Sequence, residues 1–370
     1  MTVDVESALP TQTSGPRSVG AAGVAPPSGR VEAVTRARAR RGDLDIAKGI
    51  GILLVVFGHL VARTPPHGAG WYSFLKDAVY AFHMAFFMYL SGYVTFMTGA
   101  ARTPPPEWAS LIRKRAFRLL LPFLLFGLAI VAGKWAASRF LYVDNVPSSG
   151  SQALLGLVWD TDSSPATSVW YILVLFVLCV VTPVLIWAGR GRLYLLTAVA
   201  AVLYLVPAPH VMYLDRIAHF TVFFVLGGLA AEAGERWMRA VDRSLWWTLP
   251  ALVVLVVAGV WLLPFNGWQM SAKLFVCGVI SMPALHGLAR LRPLARSRIL
   301  LTAGTYTFVI YLLNTPFIGL AKGLLMKLLA WDGAGFLVYA PVLMVAGTLG
   351  PILTKRLLLQ RVRFLDRMTD

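Results

Sequence analysis

Apolar runs of about 20 residues alternate with short polar connections from Leu44 almost to the end of the chain. A helix needs about 20 residues to cross the hydrocarbon core of a bilayer. The pattern therefore predicts an all-α, polytopic integral membrane protein whose main partner is a lipid bilayer. Its ten helices fall near residues 44–63, 74–99, 116–136, 168–189, 192–207, 214–233, 244–263, 270–289, 299–326 and 334–354.

Composition and charge agree with this fold class. Hydrophobic residues make up 58% of the chain and charged residues 14%, whereas soluble domains average roughly 45–50% apolar and about 25% charged. The net charge of +17 is spread over short clusters between apolar runs, so we expect no nucleic-acid partner. With ten spans, 26 of the 34 Lys and Arg residues fall on one side, which places both termini in the cytoplasm of a cell-membrane protein.

The polar segments suggest the domain boundaries. Residues 1–42 are rich in Ser, Pro, Gly and Ala and end in a run of Arg. They lack the apolar core of a signal peptide and are predicted to form a disordered basic cytoplasmic tail. We expect a transmembrane domain over 43–355 and a basic cytoplasmic tail over 356–370. The loop 137–167 is predicted to carry a short interfacial helix at 152–159.

The first apolar run contains three ionisable residues: Asp45, Lys48 and His59. At 100° per residue, Lys48 and His59 lie within about 20° of each other on a helix, and about 16 Å apart along its axis. Asp45 is about 21 Å from His59, which is too far for contact, so we expect it to pair with Lys48 or with a loop arginine. Ionisable groups are costly within a membrane and are therefore functional candidates. The alternative is a purely structural role, in which the Lys48 side chain reaches the membrane surface and His59 forms a hydrogen bond with a neighbouring helix.

A second histidine, His83, lies in the second run at a depth similar to that of His59. Two histidines suggest a metal pair, but no third ligand stands out nearby, so we expect no metal site. Arg115 and Arg118 precede the third run with i,i+3 spacing, on one face of a helix, and suit phosphate binding. From charge alone, ordinary cytoplasmic positive charge and contact with anionic lipid explain the two arginines better than phosphate binding does.

Several short motifs resemble those of the acyltransferase family 3 membrane proteins, in particular the branch similar to fucose O-acetyltransferases. These motifs are Leu44-Asp45-Ile46-Ala47-Lys48-Gly49 leading to Gly58-His59, Phe82-His83-Met84 leading to Leu90-Ser91-Gly92-Tyr93, Arg115-x-x-Arg118, Trp170-Tyr171-Ile172-Leu173, and Gly304-Thr305-Tyr306-Thr307. Three positions depart from the family pattern. Lys48 stands where many members carry Arg, Asn314 stands where relatives often show His, and Ala85 replaces a frequent Pro in the second motif.

The resemblance implies transfer of an acyl group, usually acetyl, from cytoplasmic acyl-CoA to a hydroxyl of a glycan or glycoside. No tightly bound cofactor is expected, since acyl-CoA serves as a co-substrate. His59 is the expected base or acyl relay, and His83 is expected to orient it or to stabilise the oxyanion. The expected substrate-binding residues are Lys48, Arg115, Arg118, Asp45, Trp170 and Asn314.

A transporter is the main alternative. Ten helices, intramembrane charges and Gly-rich breaks also suit a transporter or flippase that moves a polar or anionic solute without acyl transfer. Asp215, Arg216 and the loop 137–167 are expected to shape the choice of acceptor from their position alone.

Overall fold

The fold was analysed in a computed structural model. It describes residues 28–369 apart from Arg63, 141–142, 144–145, 147–148, 160–163, 165 and 263–266, and it describes side chains from Gly42 onward. Most of the predicted N-terminal tail, residues 1–27, lies outside the described residues. Residues 28–42 form the start of the first helix, and the chain from Arg41 to Asp370 forms one unit.

The described residues form sixteen α-helices, a few short 3-10 and π-helical turns, and no β-strand. This confirms the predicted all-α membrane fold. The helices are α1 (Ser28–His59), α2 (Gly70–Tyr80), α3 (His83–Met97), α4 (Trp108–Arg115), α5 (Leu121–Ala137), α6 (Gly150–Val158), α7 (Trp170–Ala188), α8 (Leu193–Leu205), α9 (Leu214–Ala233), α10 (Glu235–Leu262), α11 (Gly267–Arg290), α12 (Arg292–Ala295), α13 (Arg298–Thr305), α14 (Thr307–Leu325), α15 (Gly333–Leu357) and α16 (Arg363–Met368).

Eight helical segments of the described chain are long and apolar enough to cross a membrane. Two other predicted spans correspond to the end of α1, which contains the ionisable residues Asp45, Lys48 and His59, and to α8, which has only 13 residues. The total of ten spans and the side on which each terminus lies stay predictions. In the predicted outer loop, α6 overlaps the short helix expected at 152–159, whose interfacial position stays a prediction. The Ser149 hydroxyl caps α6 by accepting from the Gln152 backbone N–H at 3.2 Å.

The candidate residues lie on α1, which packs closely against α13. A Cβ atom on Gly49 would overlap the Leu300 carbonyl, and one on Gly304 would overlap the Asp45 carbonyl. Glycine is therefore required at both positions for the helices to approach this closely. The contact fixes the first half of the membrane part of α1 beside the helix pair α13 and α14, which carries Asn314.

The C-terminal segment, predicted as a tail, folds back onto the bundle. Lys355 is only 3% exposed, and its ammonium donates to the Asp366 carbonyl and the Thr369 hydroxyl, both at 2.9 Å. The Asp366 carboxylate completes this set at 2.7 Å from the Lys355 Nζ atom. The Phe364 ring packs edge-on against Phe117, with ring centroids 5.6 Å apart. α16 therefore lies against the turn that joins α4 to α5.

Candidate active site

His59 is the last residue of α1, and α2 holds this helix end in place. The Tyr72 hydroxyl donates to the Phe57 carbonyl at 3.0 Å, and the Tyr80 hydroxyl donates to the Gly58 carbonyl at 3.0 Å. The last carbonyls of a helix have no partners within the helix, and hydrocarbon supplies none. The two tyrosines therefore supply partners for the last carbonyls of α1 and fix the position from which His59 projects.

Asn314 on α14 fixes the tautomer of His59. The Asn314 Nδ2 group donates to the Ile310 and Tyr311 carbonyls, both at 2.8 Å, so its Oδ1 atom is the one that faces His59. The His59 Nδ1 atom lies 2.7 Å from this oxygen and must donate a proton to it. In the neutral ring, the lone pair is then on Nε2. His59 has the form that a general base needs.

A cavity of 420 Å³ adjoins His59, between α5 and α14. Most of its wall is apolar, and its polar groups are few. The polar lining includes Ser168 and Thr315, whose hydroxyl oxygens are 3.1 Å apart, so one donates to the other. Lys134 and Lys322 also line it. A concave, mostly apolar site with a few polar groups is typical of a small-molecule binding site.

Trp170 lies beside this cavity rather than in its wall. The Arg216 guanidinium lies 4.8 Å from the centre of the Trp170 ring and 5.7 Å from that of Tyr213. Asp215 contacts the His210 ring at 3.1 Å. Burial raises the pKa of the Tyr213 phenol, which therefore stays protonated and donates to a backbone carbonyl. The predicted acceptor-shaping residues form an aromatic and charged cluster next to the cavity.

His83 is buried and near His59, but another residue contacts the His59 Nδ1 atom. The His83 Nδ1 atom donates to the Val79 carbonyl at 2.8 Å, and its ring stacks on Tyr80 with centroids 5.0 Å apart. One of the two roles expected of His83 was to orient the His59 ring. Asn314 makes that contact instead. A role for His83 at the oxyanion stays a prediction.

Three turns before His59, on the same face of α1, the Lys48 ammonium donates to the Asp45 carboxylate at 3.0 Å. This contact confirms one of the two predicted pairings of Asp45. Both side chains are about one-third exposed, at 34% and 36%. We refer to the two ends of the bundle as the His59 end and the Lys48 end. Since Lys48 and His59 are separated by three helical turns, no single small group contacts both.

The arginine pair departs from the expected geometry. Arg115 ends α4, but residues 116–120 form a π-helical turn before α5. This turn is wider than an α-helical one, so Arg115 and Arg118 diverge more than i,i+3 residues of an α-helix. Arg115 is half-buried and interacts electrostatically with the buried thiol of Cys179, whereas Arg118 is exposed. The two residues therefore do not share one face as the spacing predicted. π-helical turns are frequent at functional sites.

Among the described residues, no three His, Cys, Asp or Glu side chains are grouped as a metal ion would require. Asn314 was named from the sequence, but its contact with His59 was not predicted. Four further residues at the site were not predicted to be functional: Ser168, Thr315, Tyr72 and Tyr80. Their only signal in the sequence is a polar group within or beside an apolar run.

Comparison with known proteins agrees with this geometry. The sequence profile of the acyltransferase domain known as acyltransferase 3 matches residues 41–356. The chain belongs to this acyltransferase family. This membership is the one that the motifs predicted. No solved structure matches it significantly.

Two curated relatives share this domain. The nodulation protein NolL of Mesorhizobium japonicum is 27% identical over 229 residues, which is 61% of this chain and 56% of the relative. The NolL protein of Sinorhizobium fredii is 30% identical over 223 residues, which is 59% of this chain and 56% of the relative. The matched part of the chain thus spans little more than half the length of either relative.

Proposed function

We propose that this acyltransferase moves an acyl group, in the simplest case acetyl, from cytoplasmic acyl-CoA to a hydroxyl of a glycan or glycoside. The observation that carries the proposal is the His59–Asn314 pair beside the 420 Å³ cavity. It presents a basic imidazole nitrogen next to a space of suitable size for part of an acceptor. In this proposal, the His59 end faces outward in the cell membrane and the Lys48 end faces the cytoplasm.

The chemistry assigned to His59 is general base catalysis. The Nε2 atom takes the proton of the acceptor hydroxyl as its oxygen forms a bond with the thioester carbonyl carbon. The carbon–sulfur bond then breaks, and the CoA thiolate recovers the proton from His59. An acyl-histidine relay is the second route. Nε2 itself attacks the thioester carbon, the carbon–sulfur bond breaks and CoA leaves as the thiolate; the acceptor oxygen then takes the acyl group from Nε2, and the acceptor proton goes to the thiolate. Release of CoA before any acceptor is added would identify the relay.

The donor is assigned to the Lys48 end. Its phosphates carry several negative charges, and guanidinium groups bind phosphate oxygens in pairs. Arg115 precedes the π-helical turn at this end and Arg118 lies within it, and Lys48 lies on the face of α1 that also carries His59. Asp45 contributes by holding the Lys48 ammonium. The pantetheine arm would extend from these cations toward the imidazole.

The test compares His59→Ala with His67→Ala. His67 lies on an exposed loop and does not line the cavity, so it controls for loss of a histidine. Membranes with equal amounts of each variant receive acetyl-CoA labelled in the acetyl group, and both labelled carbohydrate and free CoA are measured. We expect a loss of about a hundredfold or more for His59→Ala and no change for His67→Ala.

Two outcomes would contradict the proposal. Near wild-type labelling of carbohydrate by correctly inserted His59→Ala would remove the assigned base. Failure of the unmodified protein to release CoA or to transfer label, with donor and cell-envelope acceptors present, would argue against acyl transfer from CoA. The predicted alternative, movement of a polar or anionic solute across the membrane, would then be tested by solute uptake into vesicles.

A further inference from the structure

Two glycines face the cavity beside His59 from opposite helices. Gly133 on α5 and Gly319 on α14 both line it, and a Cβ atom built on either meets no other atom within 4 Å. The nearby Gly127 is different, because a Cβ atom there would lie 2.9 Å from the Leu157 side chain. Gly127 is needed for packing, whereas Gly133 and Gly319 border open space.

Helix stability gives no reason for glycine at these two positions. Glycine is among the weakest helix formers, and alanine would stabilise either helix. Neither position allows a close approach of two helices, which is the usual reason for glycine in a membrane helix. The common result of the two glycines is a wider cavity.

The wall of this cavity suits an apolar group. Apart from the imidazole and the polar side chains of Ser168, Thr315, Lys134 and Lys322, it consists of apolar side chains, glycines and a proline. Most of these polar groups come from the ends of helices or from loops. A free sugar, with a hydroxyl on nearly every carbon, would leave several hydroxyl groups without partners in such a space, which is costly.

The cavity is also open on its lipid side. Ala129 and Gly133 on α5 and Gly319 and Leu320 on α14 line it and are all exposed. In a bilayer these residues face hydrocarbon, so a molecule with an apolar chain reaches the cavity without leaving the membrane. Lys134 on α5 and Lys322 on α14 line the same space and provide cationic groups beside the apolar wall.

We propose that Gly133 and Gly319 select the acceptor by size. The space that they leave open holds an apolar group attached to the acceptor while the reacting hydroxyl lies at His59, so the acceptor is an amphiphile. This inference rests on the proposed acyl transfer, because it assigns the cavity to the acceptor. It makes the two glycines specificity-determining residues rather than packing residues.

The experiment replaces each of the two glycines by a larger residue, so that the cavity beside His59 becomes smaller. Gly133→Leu and Gly319→Leu each add a side chain at the wall of the cavity, where the new Cβ atom meets no other atom within 4 Å, and both favour the helix. Gly150→Leu is the matched control, since its Cβ also meets no atom but the residue lies outside the cavity. The probes are photoreactive methyl and octyl glucosides, added to the full-length protein in lipid nanodiscs, with labelled residues mapped by mass spectrometry.

We expect the octyl probe to label α5 and α14 in the unmodified protein and in Gly150→Leu. The two filled variants should lose about tenfold of this labelling, while weak labelling by the methyl probe stays the same. Unchanged octyl labelling in both filled variants would overturn the proposal. Equal labelling of the cavity by a photoreactive phospholipid that octyl glucoside does not displace would also overturn it, since the cavity would then hold only bilayer lipid.

A second measurement separates this inference from the proposed function. His59→Ala keeps the cavity, so it should retain octyl labelling while losing acyl transfer. If His59→Ala retains transfer, the catalytic assignment fails, whereas the labelling of the filled variants still decides whether the glycines set the size of the bound molecule. If transfer depends on His59 but the filled variants transfer label normally to envelope acceptors, the size-selection proposal alone fails.

Discussion

The two ends of the bundle hold their ionisable groups in different ways. At the His59 end, the imidazole is fixed by an amide on another helix, and tyrosines from α2 hold the helix end that carries it. At the Lys48 end, the ammonium is paired with a neighbour three residues away and is one-third exposed. Arg118 at that end is exposed to solvent.

This difference separates chemistry from binding. Groups that are already held in place lower the barrier of a reaction, because no reorganisation is needed when charge develops. Exposed cations on flexible side chains attract an anionic substrate but are screened by water and salt. We therefore expect changes at the His59 end to lower kcat and changes at the Lys48 end to raise the KM for acyl-CoA.

The largest effect that tests this contrast is expected for Arg115→Ala. Loss of charged hydrogen bonds to phosphate, each contributing about 1.5–3 kcal/mol, would raise the KM for acetyl-CoA by roughly 10- to 100-fold. The kcat and the preference among acceptors should not change. Steady-state kinetics on reconstituted protein at two salt concentrations measure both parameters.

The matched control for Arg115→Ala is Arg236→Ala. Arg236 is an exposed arginine on α10, outside the π-helical turn, and its loss should leave the KM unchanged. A fall in kcat for Arg115→Ala at unchanged KM would contradict the separation of the two ends.

At the His59 end, we expect a smaller effect for Asn314→Leu. Leucine has a similar volume but accepts no hydrogen bond, so the His59 Nδ1 proton loses its partner and the ring loses its preferred tautomer. A neutral hydrogen bond contributes about 1 kcal/mol, so kcat should fall by roughly five- to tenfold with the KM for acetyl-CoA unchanged.

A purely structural role for Asn314 would not alter the pH dependence of kcat. We therefore compare pH–rate profiles of Asn314→Leu with those of Asn314→Gln, which keeps an amide oxygen. A shifted profile for leucine and partial recovery of kcat with glutamine would support the positioning role. Equal kcat and identical profiles in all three proteins would contradict it.

Local features of this molecule followed from the sequence, and distant contacts did not. The Lys48–Asp45 pair was predicted because both residues lie within one helical turn, and the membrane helices were predicted because lipid requires long apolar runs. The His59–Asn314 contact joins residues 255 positions apart, and nothing in one sequence specifies it. Likewise, the π-helical turn after Arg115 has no sequence signature here, so the i,i+3 rule gave the wrong relation between the arginines.

The C-terminal segment was also missed, because its basic composition is typical of a solvated tail. Its anchor is Lys355, whose partners are groups of the segment itself. Lys355 is the last residue of the predicted transmembrane domain, and nothing in the sequence indicates that it binds the backbone eleven residues later. The segment is basic, but a basic composition alone does not specify whether the segment packs against the bundle as a helix.

The smallest effect is expected for Lys355→Met, which removes this anchor while keeping the length of the side chain. α16 then loses its buried ion pair and two hydrogen bonds, although the Phe364–Phe117 contact is kept. Because α16 lies against the π-helical turn that contains Arg118, its release should raise the KM for acetyl-CoA by about two- to threefold, equivalent to less than about 1 kcal/mol. It should also speed proteolysis of the C-terminal segment.

Two outcomes would contradict this prediction for Lys355→Met. Faster proteolysis without any change in KM would show that α16 stabilises the Lys48 end but takes no part in donor binding. A fall in kcat would show that the two ends are coupled.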